Sequence, residues 1–400
     1  MSVPKAPPSA VAVDTLNSSR GNGHREPLRF VSREDPSPAK VPRRMALTGF
    51  VRLRLPRPTR VFDSYWYLAA ERQRMFRLHL LGGTGPMTSD PILRKYRFTN
   101  AYRASDRTTQ YLLQHVMYER TNRNRPPRSF RDTFVRVLLF KIFNKIETWE
   151  GLLREVGDIN AEDFSVGRIG PVLDALKARG PVYSPAYIMP SPRVFGLPSK
   201  HANHLCLIEH MLATNVDRRI GSARSMSEAY VALIAMPSIG PFLAYQLVTD
   251  LNYSPSLDFT ETEFVSPGPG ALDGLSKCFS DPGDLSPPDI VRYAMETQQE
   301  QLARRGIEFS DLWGRPLQLV DCQNLFCETD KYSRVAHPTV RGRSHRMKIK
   351  QRYVPRTESA SAWYPPKWGI NELVHGWLRS DPQRPLLQVD DQSTFTELNE

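Results

Sequence analysis

Apolar residues recur at spacings of three and four along most of the middle of the chain, with polar residues between them and Gly or Pro at the breaks. That period predicts helices and leaves little room for strands. Order is expected to start near Val61. Phe62 to Phe76 reads as the first helix, with Asp63 or Ser64 as N-cap and an aromatic face for the core. After a Gly82-Gly83-Thr84-Gly85-Pro86 break, Ser89-Asp90-Pro91-Ile92 opens a second helical stretch, and Thr99 to Arg107 leads into Tyr111-Leu112-Leu113. A third helix is predicted from Phe130 to Ile146, with Glu147-Thr148-Trp149-Glu150 closing the block. Val172 to Ala178 is helical with Pro171 just ahead, Pro181 to Pro198 is an ordered loop, and His201 to Ala213 resumes the helical period. Ser225 and Glu228 have capping-box spacing for the next helix.

That helix enters the stretch around which the chain is organised. Met236-Pro237-Ser238-Ile239-Gly240 followed by Pro241-Phe242-Leu243-Ala244-Tyr245-Gln246 has the form of a helix-hairpin-helix. Gly240 follows a two-residue turn and suits the hairpin because a residue without Cβ tolerates φ > 0 and lets another backbone come close, and Pro241 sits at the first helical position, where its missing N–H costs nothing. A helix start of this kind seats a phosphate on outward N–H groups and the positive end of the dipole. Ser238, Gly240, Phe242 and Gln246 are therefore candidate nucleic-acid contacts, and Gly268 and Gly270 mark a second Gly-flanked helix start. The same string also fits an ordinary tight turn between core helices.

Charge adds weight to the first reading. The chain has 400 residues, a net charge of +12 and a pI near 9.6, which suits a polyanionic partner. From Arg94 to Lys145 there are thirteen Lys or Arg against three Asp or Glu, so this region, with Arg103 and Lys141, is the expected electrostatic footprint. From Lys331 to Arg356 nine Lys or Arg stand with no Asp or Glu. Residues 1–55 are basic and Pro-rich and are expected to be disordered, 56–358 to form a helical domain, and 359–400 to supply a final helix near Trp363 to Leu378 and a mobile tail. Neither a membrane span nor a signal peptide is predicted, and an intracellular location follows. Cys206, Cys278, Cys322 and Cys327 read as reduced thiols, and His201, His204 and His210 lack the companions of a metal set, so neither metal nor cofactor is expected.

Leu317 to Tyr332 carries the densest candidate chemistry. On a helix Asp321, Asn324 and Glu328 share one face, Gln323 lies on a neighbouring row, and Lys331 follows Glu328 at spacing three. With Tyr332 and Arg334 these residues suit a pocket that holds a base by amide hydrogen bonds and stacking. A surface helix with ordinary ion pairs has the same pattern.

The strings DSYWYLAAERQRMF, SDPILRKYRFTNAYRASDR, FKIFNKIETWE, PSIGPFLAYQLVTDLNYS, FVSPGPGALDG and VDCQNLFCETDKY together resemble the helical domain of 5-hydroxymethyluracil DNA kinases, a family related to the alpha-glutamyl/putrescinyl thymine pyrophosphorylases. The resemblance runs from Phe62 to Tyr353. It implies a mainly α, helix-hairpin-helix fold like that of DNA glycosylases, with DNA carrying a modified pyrimidine as the partner. An acidic residue ahead of Gly268-Pro269-Gly270 matches the place of a glycosylase's catalytic Asp, here Glu263, but the Val-Asp dipeptide of those enzymes is absent, which argues against simple base excision. No G-x-x-x-x-G-K-[ST] string occurs, so phosphorylation by this chain alone is not expected. Two hypotheses stand. In one the protein acts on a flipped base, by transfer at its 5-methylene with loss of phosphate or pyrophosphate or else by base excision, with Glu263, Asp321, Glu328 and Lys331 in catalytic roles. In the other it is a non-catalytic reader that partners a separate kinase or transferase.

Overall fold

A computed structural model describes residues 53–83, 85–120, 127–185, 189–355 and 362–380, and within it they belong to one compact unit. The predictions for the N-terminal segment up to Arg52 and for the tail beyond Ser380 lie outside the described residues.

The architecture is mainly α. A two-residue strand β1 (Arg57–Pro58) precedes α1 (Arg60–Leu80), α2 (Pro91–Lys95) and α3 (Arg107–Tyr111), and α3 runs into a π-helical turn at Leu112–Met117. Then come α4 (Phe130–Phe143), α5 (Ile146–Val156), α6 (Val166–Arg179), α7 (Lys200–Ala213), α8 (Val216–Gly221), α9 (Met226–Ile234) and α10 (Pro241–Asn252). The rest is α11 (Pro269–Cys278), β2 (Phe279–Asp281), α12 (Pro287–Glu296), α13 (Gln298–Arg304), α14 (Leu319–Ala336) and α15 (Asn371–Ser380). The two strands pair antiparallel, and Thr59 ties the start of α1 to the end of α11 through Thr59 Oγ1 donating to the Lys277 carbonyl at 2.6 Å.

Local chemistry moves several predicted boundaries. Thr59, not Asp63 or Ser64, caps α1 by accepting from Val61 N, because the chain turns immediately after Pro58. The third helix stops at Phe143, where Asn144 takes a left-handed conformation, and Ile146 starts a separate helix through the residues expected to close the block. α6 begins five residues before Pro171, with Ser165 as cap, since a proline early in a helix removes only one ladder bond. The final helix starts at Asn371, after an extended segment that carries Trp363 and Tyr364 into the core.

α14 is the centre of the fold and packs against α1, α2, α11 and α12. It is buried on nearly every side, from Leu319 and Cys322 through Phe326 to Tyr332, and its polar residues Asp321, Gln323, Glu328 and Asp330 are buried as well. Gly270 and Gly274, one turn apart on α11, let the two helices approach. A Cβ on Gly274 would lie 2.0 Å from the Phe326 carbonyl oxygen, whereas one on Gly270 would meet the movable end of Cys327, its Sγ, at 2.4 Å.

Gly274→Ala is therefore expected to lower unfolding free energy by about 1–3 kcal/mol, the usual cost of forcing packed elements apart. Gly270→Ala should cost less, because Cys327 can rotate away. Urea unfolding of the two variants checks the order, and a smaller loss for Gly274→Ala would contradict the close approach.

Candidate nucleic-acid interface

α9 and α10 pack on one another across a short connection, the helical pair expected from the sequence. The left-handed residue in the connection is Ser238, with φ 61°, and not Gly240, which has an extended backbone with φ −83°. The left-handed residue thus lies in the two-residue turn, Ser238-Ile239, ahead of Gly240. Gly240 is exposed, has nothing among the described residues within 4 Å of the position a Cβ would take, and serves as N-cap of α10 without a side-chain cap. Gly268 occupies the same position in α11, again followed by Pro and again without a side-chain cap. Seven other helices, among them α4, α7 and α9, are capped by a Ser, Thr or Asp side chain.

Behind these two starts the structure gathers seven residues named in the sequence analysis. Phe242 packs where a Cβ on Gly268 would be, at 2.4 Å, and Gly270 lies against Cys327. Gln246, one turn along α10 from Phe242, reaches Gln323 of α14 at 3.5 Å. The Gln246 Oε1 also accepts from Arg103 Nε at 3.0 Å.

Arg103 itself is inside. Its guanidinium donates to both oxygens of Asp250, at 2.7 and 2.9 Å, and Lys141 Nζ lies 3.3 Å from the same carboxylate. Burial pulls the Lys141 pKa down while Asp250 opposes the shift. These two cations, expected to meet phosphates, are thus committed to Asp250, a residue that the sequence analysis does not single out. Its only signal is the i, i+4 spacing from Gln246 on α10.

The carboxylate face of α14 is likewise occupied. Asp321 accepts from Arg103 N at 2.8 Å and from Gln318 N at 3.0 Å, forming a capping box at the start of the helix. Asn324 donates to Thr99 Oγ1 at 2.9 Å, and Glu328 accepts from Thr99 N at 3.0 Å and pairs with Lys331 at 2.6 Å. Lys331 also stands 4.5 Å from the Phe98 ring centroid. The face read as a base pocket therefore clamps the segment from Thr99 to Arg103. Tyr332 donates to Asp90 at 2.7 Å, and Arg334 binds Asp330 at 2.5 Å and the Lys348 carbonyl at 3.0 Å. Glu263 is exposed on the loop between α10 and α11, where Arg292 holds its carbonyl at 2.6 Å. Glu261, two residues earlier, is the acid that turns inward: it pairs with Arg315 at 2.8 Å and accepts from Trp368 Nε1 at 3.1 Å. Ser238 is exposed and its hydroxyl is 3.5 Å from the Ser191 carbonyl.

The histidines have ordinary partners: His201 faces Asp174 at 2.9 Å, His204 bonds Tyr183 and the Pro190 carbonyl, each at 2.8 Å, and His210 packs near Phe195. Among the described residues no group of three or more His, Cys, Asp or Glu is placed to hold a metal, and no helix is long and apolar enough to cross a membrane.

Burial raises Asp321 to about 7, against the lowering effect of its two backbone donors and of Arg315. Asp106 is pushed to about 6 by the same cause. Both carboxyls hold a proton in the folded state that the unfolded chain releases near pH 4. Their contribution to the unfolding free energy consequently falls as pH rises from about 4 to about 7, by on the order of a few kcal/mol, while His115, His201, His204 and His337, all lowered by burial, contribute with the opposite sign. Relative to the parent, Asp321→Asn should therefore shift the slope of unfolding free energy against pH upward over this range. Chemical denaturation across this pH range tests it, and an unchanged slope in the variant would exclude Asp321 as a contributor.

Comparison with known proteins follows the same line. The family model described as the 5-hmdU DNA kinase helical domain matches residues 59–342. A 5-hmdU DNA kinase of Bacillus phage SP10 is 27% identical over 290 residues, which cover 68% of this chain and 45% of that protein. The chain thus spans less than half the length of that relative. No solved structure matches it. With the family model covering α1 through α14, the chain belongs to the family of the 5-hmdU DNA kinase helical domain.

Proposed function

We propose that this protein is a DNA-docking module for the chemistry of 5-hydroxymethyluracil and related modified pyrimidines. The relative's name supplies the base, and the lack of a phosphate-binding loop string in these 400 residues argues that they do not themselves carry out the phosphoryl transfer. One observation carries the docking role: the exposed, uncapped Gly240-Pro241 start of α10, with open space where any side chain would stand. A backbone phosphate fits such a start, because N–H groups and dipole both favour an anion there. The neighbouring Gly268-Pro269 start adds a second pole of the same sign.

Docking is favoured over catalysis by how the carboxylates are used. Asp321 and Glu328 each hold backbone N–H groups of the 99–103 segment, and Lys331 is paired with Glu328. A general base needs a free lone pair within reach of substrate. Asp321 and Glu328 are both buried beneath that segment, so a substrate reaches neither without displacing it.

Gly240→Asp separates the docking role from stability. Asp is a better N-cap than Gly, so the melting temperature should stay level or rise. Its carboxylate would meet the phosphate at the same N–H groups, and affinity for duplex DNA is expected to fall at least about tenfold, the equivalent of roughly 1.4 kcal/mol. Fluorescence anisotropy with a labelled duplex measures this, and unchanged affinity would remove the hairpin grip. Mass spectrometry of nucleosides from 5-hydroxymethyluracil DNA, with and without its pyrophosphorylated form, incubated with the protein and a pool of amines and amino acids, tests the other reading. A new adduct, a released pyrophosphate or a released base would make the protein an enzyme.

A further inference from the structure

The Arg94–Lys145 segment, read from sequence as a single footprint, divides in the structure. Arg103, Arg128, Arg136 and Lys141 turn inward onto Asp250, Glu119 and Asp158. Its first part goes outward and meets the other basic stretch. α2 ends at Lys95, and Tyr96 forms an antiparallel bridge with Arg352. Arg97 N donates to the Gln351 carbonyl at 3.2 Å, and Tyr353 N to the Lys95 carbonyl at 3.1 Å. Arg334 holds the arm further back through the Lys348 carbonyl.

The pairing brings Arg94, Lys95 and Arg97 beside Lys348, Lys350 and Arg352, and all six are exposed. Lys95 Nζ and the Arg352 guanidinium lie 5.6 and 5.1 Å from the centroid of the same Tyr96 ring. None of the six forms an ion pair among the described residues, although surface cations elsewhere do, as Arg54 does with Asp281, Arg74 with Glu71 and Arg304 with Glu300. The nearby carboxylate of Asp90 is buried on Ile92 N, Leu93 N and two tyrosines. Six like charges held on a bridged backbone, with no ion pair among the described residues, present a positive field that a polyanion lying across them would neutralise.

We propose that this strip binds the phosphodiester backbone of duplex DNA. It deepens the docking role by adding a second binding surface, which starts near Tyr332, about 14 Å along α14 from Gln323 and the hairpin. The arm is extended and not an amphipathic helix, so its form suits a phosphate track better than a membrane surface. Tyr96 stiffens the two cations beside it through cation–π contacts.

The test uses the full chain, a labelled duplex and a series of salt concentrations. Arg94→Gln, Lys95→Gln, Lys350→Gln and Arg352→Gln are combined in one variant, whose melting temperature should stay close to the parent's, because these exposed side chains form no ion pair among the described residues and lose only the Tyr96 contacts of Lys95 and Arg352. The slope of log affinity against log salt should shrink by about 0.9 for each phosphate that is no longer neutralised, or about 3.6 for all four. Arg94→Lys with Arg352→Lys, which keeps the charge, should retain the parental slope. An unchanged slope in the neutralised variant overturns the strip, while Gly240→Asp still losing affinity in the same assay would leave the docking role intact. A parent chain that binds no DNA overturns both. Binding of the strip to polyglutamate or anionic vesicles, with DNA failing to compete, overturns DNA as its partner.

Discussion

Everything in this fold depends on placing a polar helix in the centre of the molecule. α14 carries Asp321, Gln323, Asn324, Glu328 and Asp330 within three turns, yet it is covered by α1, α2, α11 and α12. A buried carboxylate without partners costs several kcal/mol or loses its charge. The structure meets this constraint in two ways. Asp321 and Glu328 take backbone N–H groups of the 99–103 segment, and Asp330 takes Lys277 at 2.9 Å and Arg334. The polar residues of α14 thereby become the template on which an otherwise irregular segment is laid. Gly270 and Gly274 are needed for the same reason, since Lys277 reaches Asp330 only because α11 lies close against α14.

The same constraint sorts the charges of a strongly basic chain. Cations near the centre serve as partners for buried acids, and the Arg103–Asp250–Lys141 group is the clearest case. Removing one member of such a group leaves an uncompensated buried charge, which is far more damaging than losing a surface pair. Cations at the edge have no such duty. Arg94, Arg97, Lys350 and Arg352 form no ion pair among the described residues, so their effect is felt outward, in the field the protein presents to a partner.

Much of this was legible from the sequence, and the failures have physical causes. Helical period, caps and Gly-Pro starts gave α2, α4, α7, α9, α10, α11 and α14 close to their observed positions. The packing of Phe242 against Gly268 and of Gln246 against Gln323 joins residues that the sequence marks only separately, because contacts between different helices leave no trace in the period of either one. Which charges turn inward could not be read either. Glu261 and Glu263 are two residues apart on a loop, and only the arrival of Arg315 and Trp368 from distant positions turns the first inward and leaves the second exposed. Asp321 and Glu328 have the spacing of catalytic acids and of scaffold acids alike. The difference lies in the 99–103 backbone, more than two hundred residues away along the chain.

Glycines show how fold and function can be told apart in this protein. At Gly274 the absence of a side chain is demanded by the Phe326 carbonyl, and at Gly268 by the ring of Phe242. At Gly240 no neighbour makes that demand: the backbone is extended, the surroundings are open, and Ser or Asp would cap α10 better than Gly does. Under the docking proposal that openness has a use, because a capping side chain would occupy the N–H groups that an anion needs at the first turn of α10. The hairpin start therefore stands out from the fold's other glycines by what does not surround it, and the basic strip stands out from the other cations on the same ground.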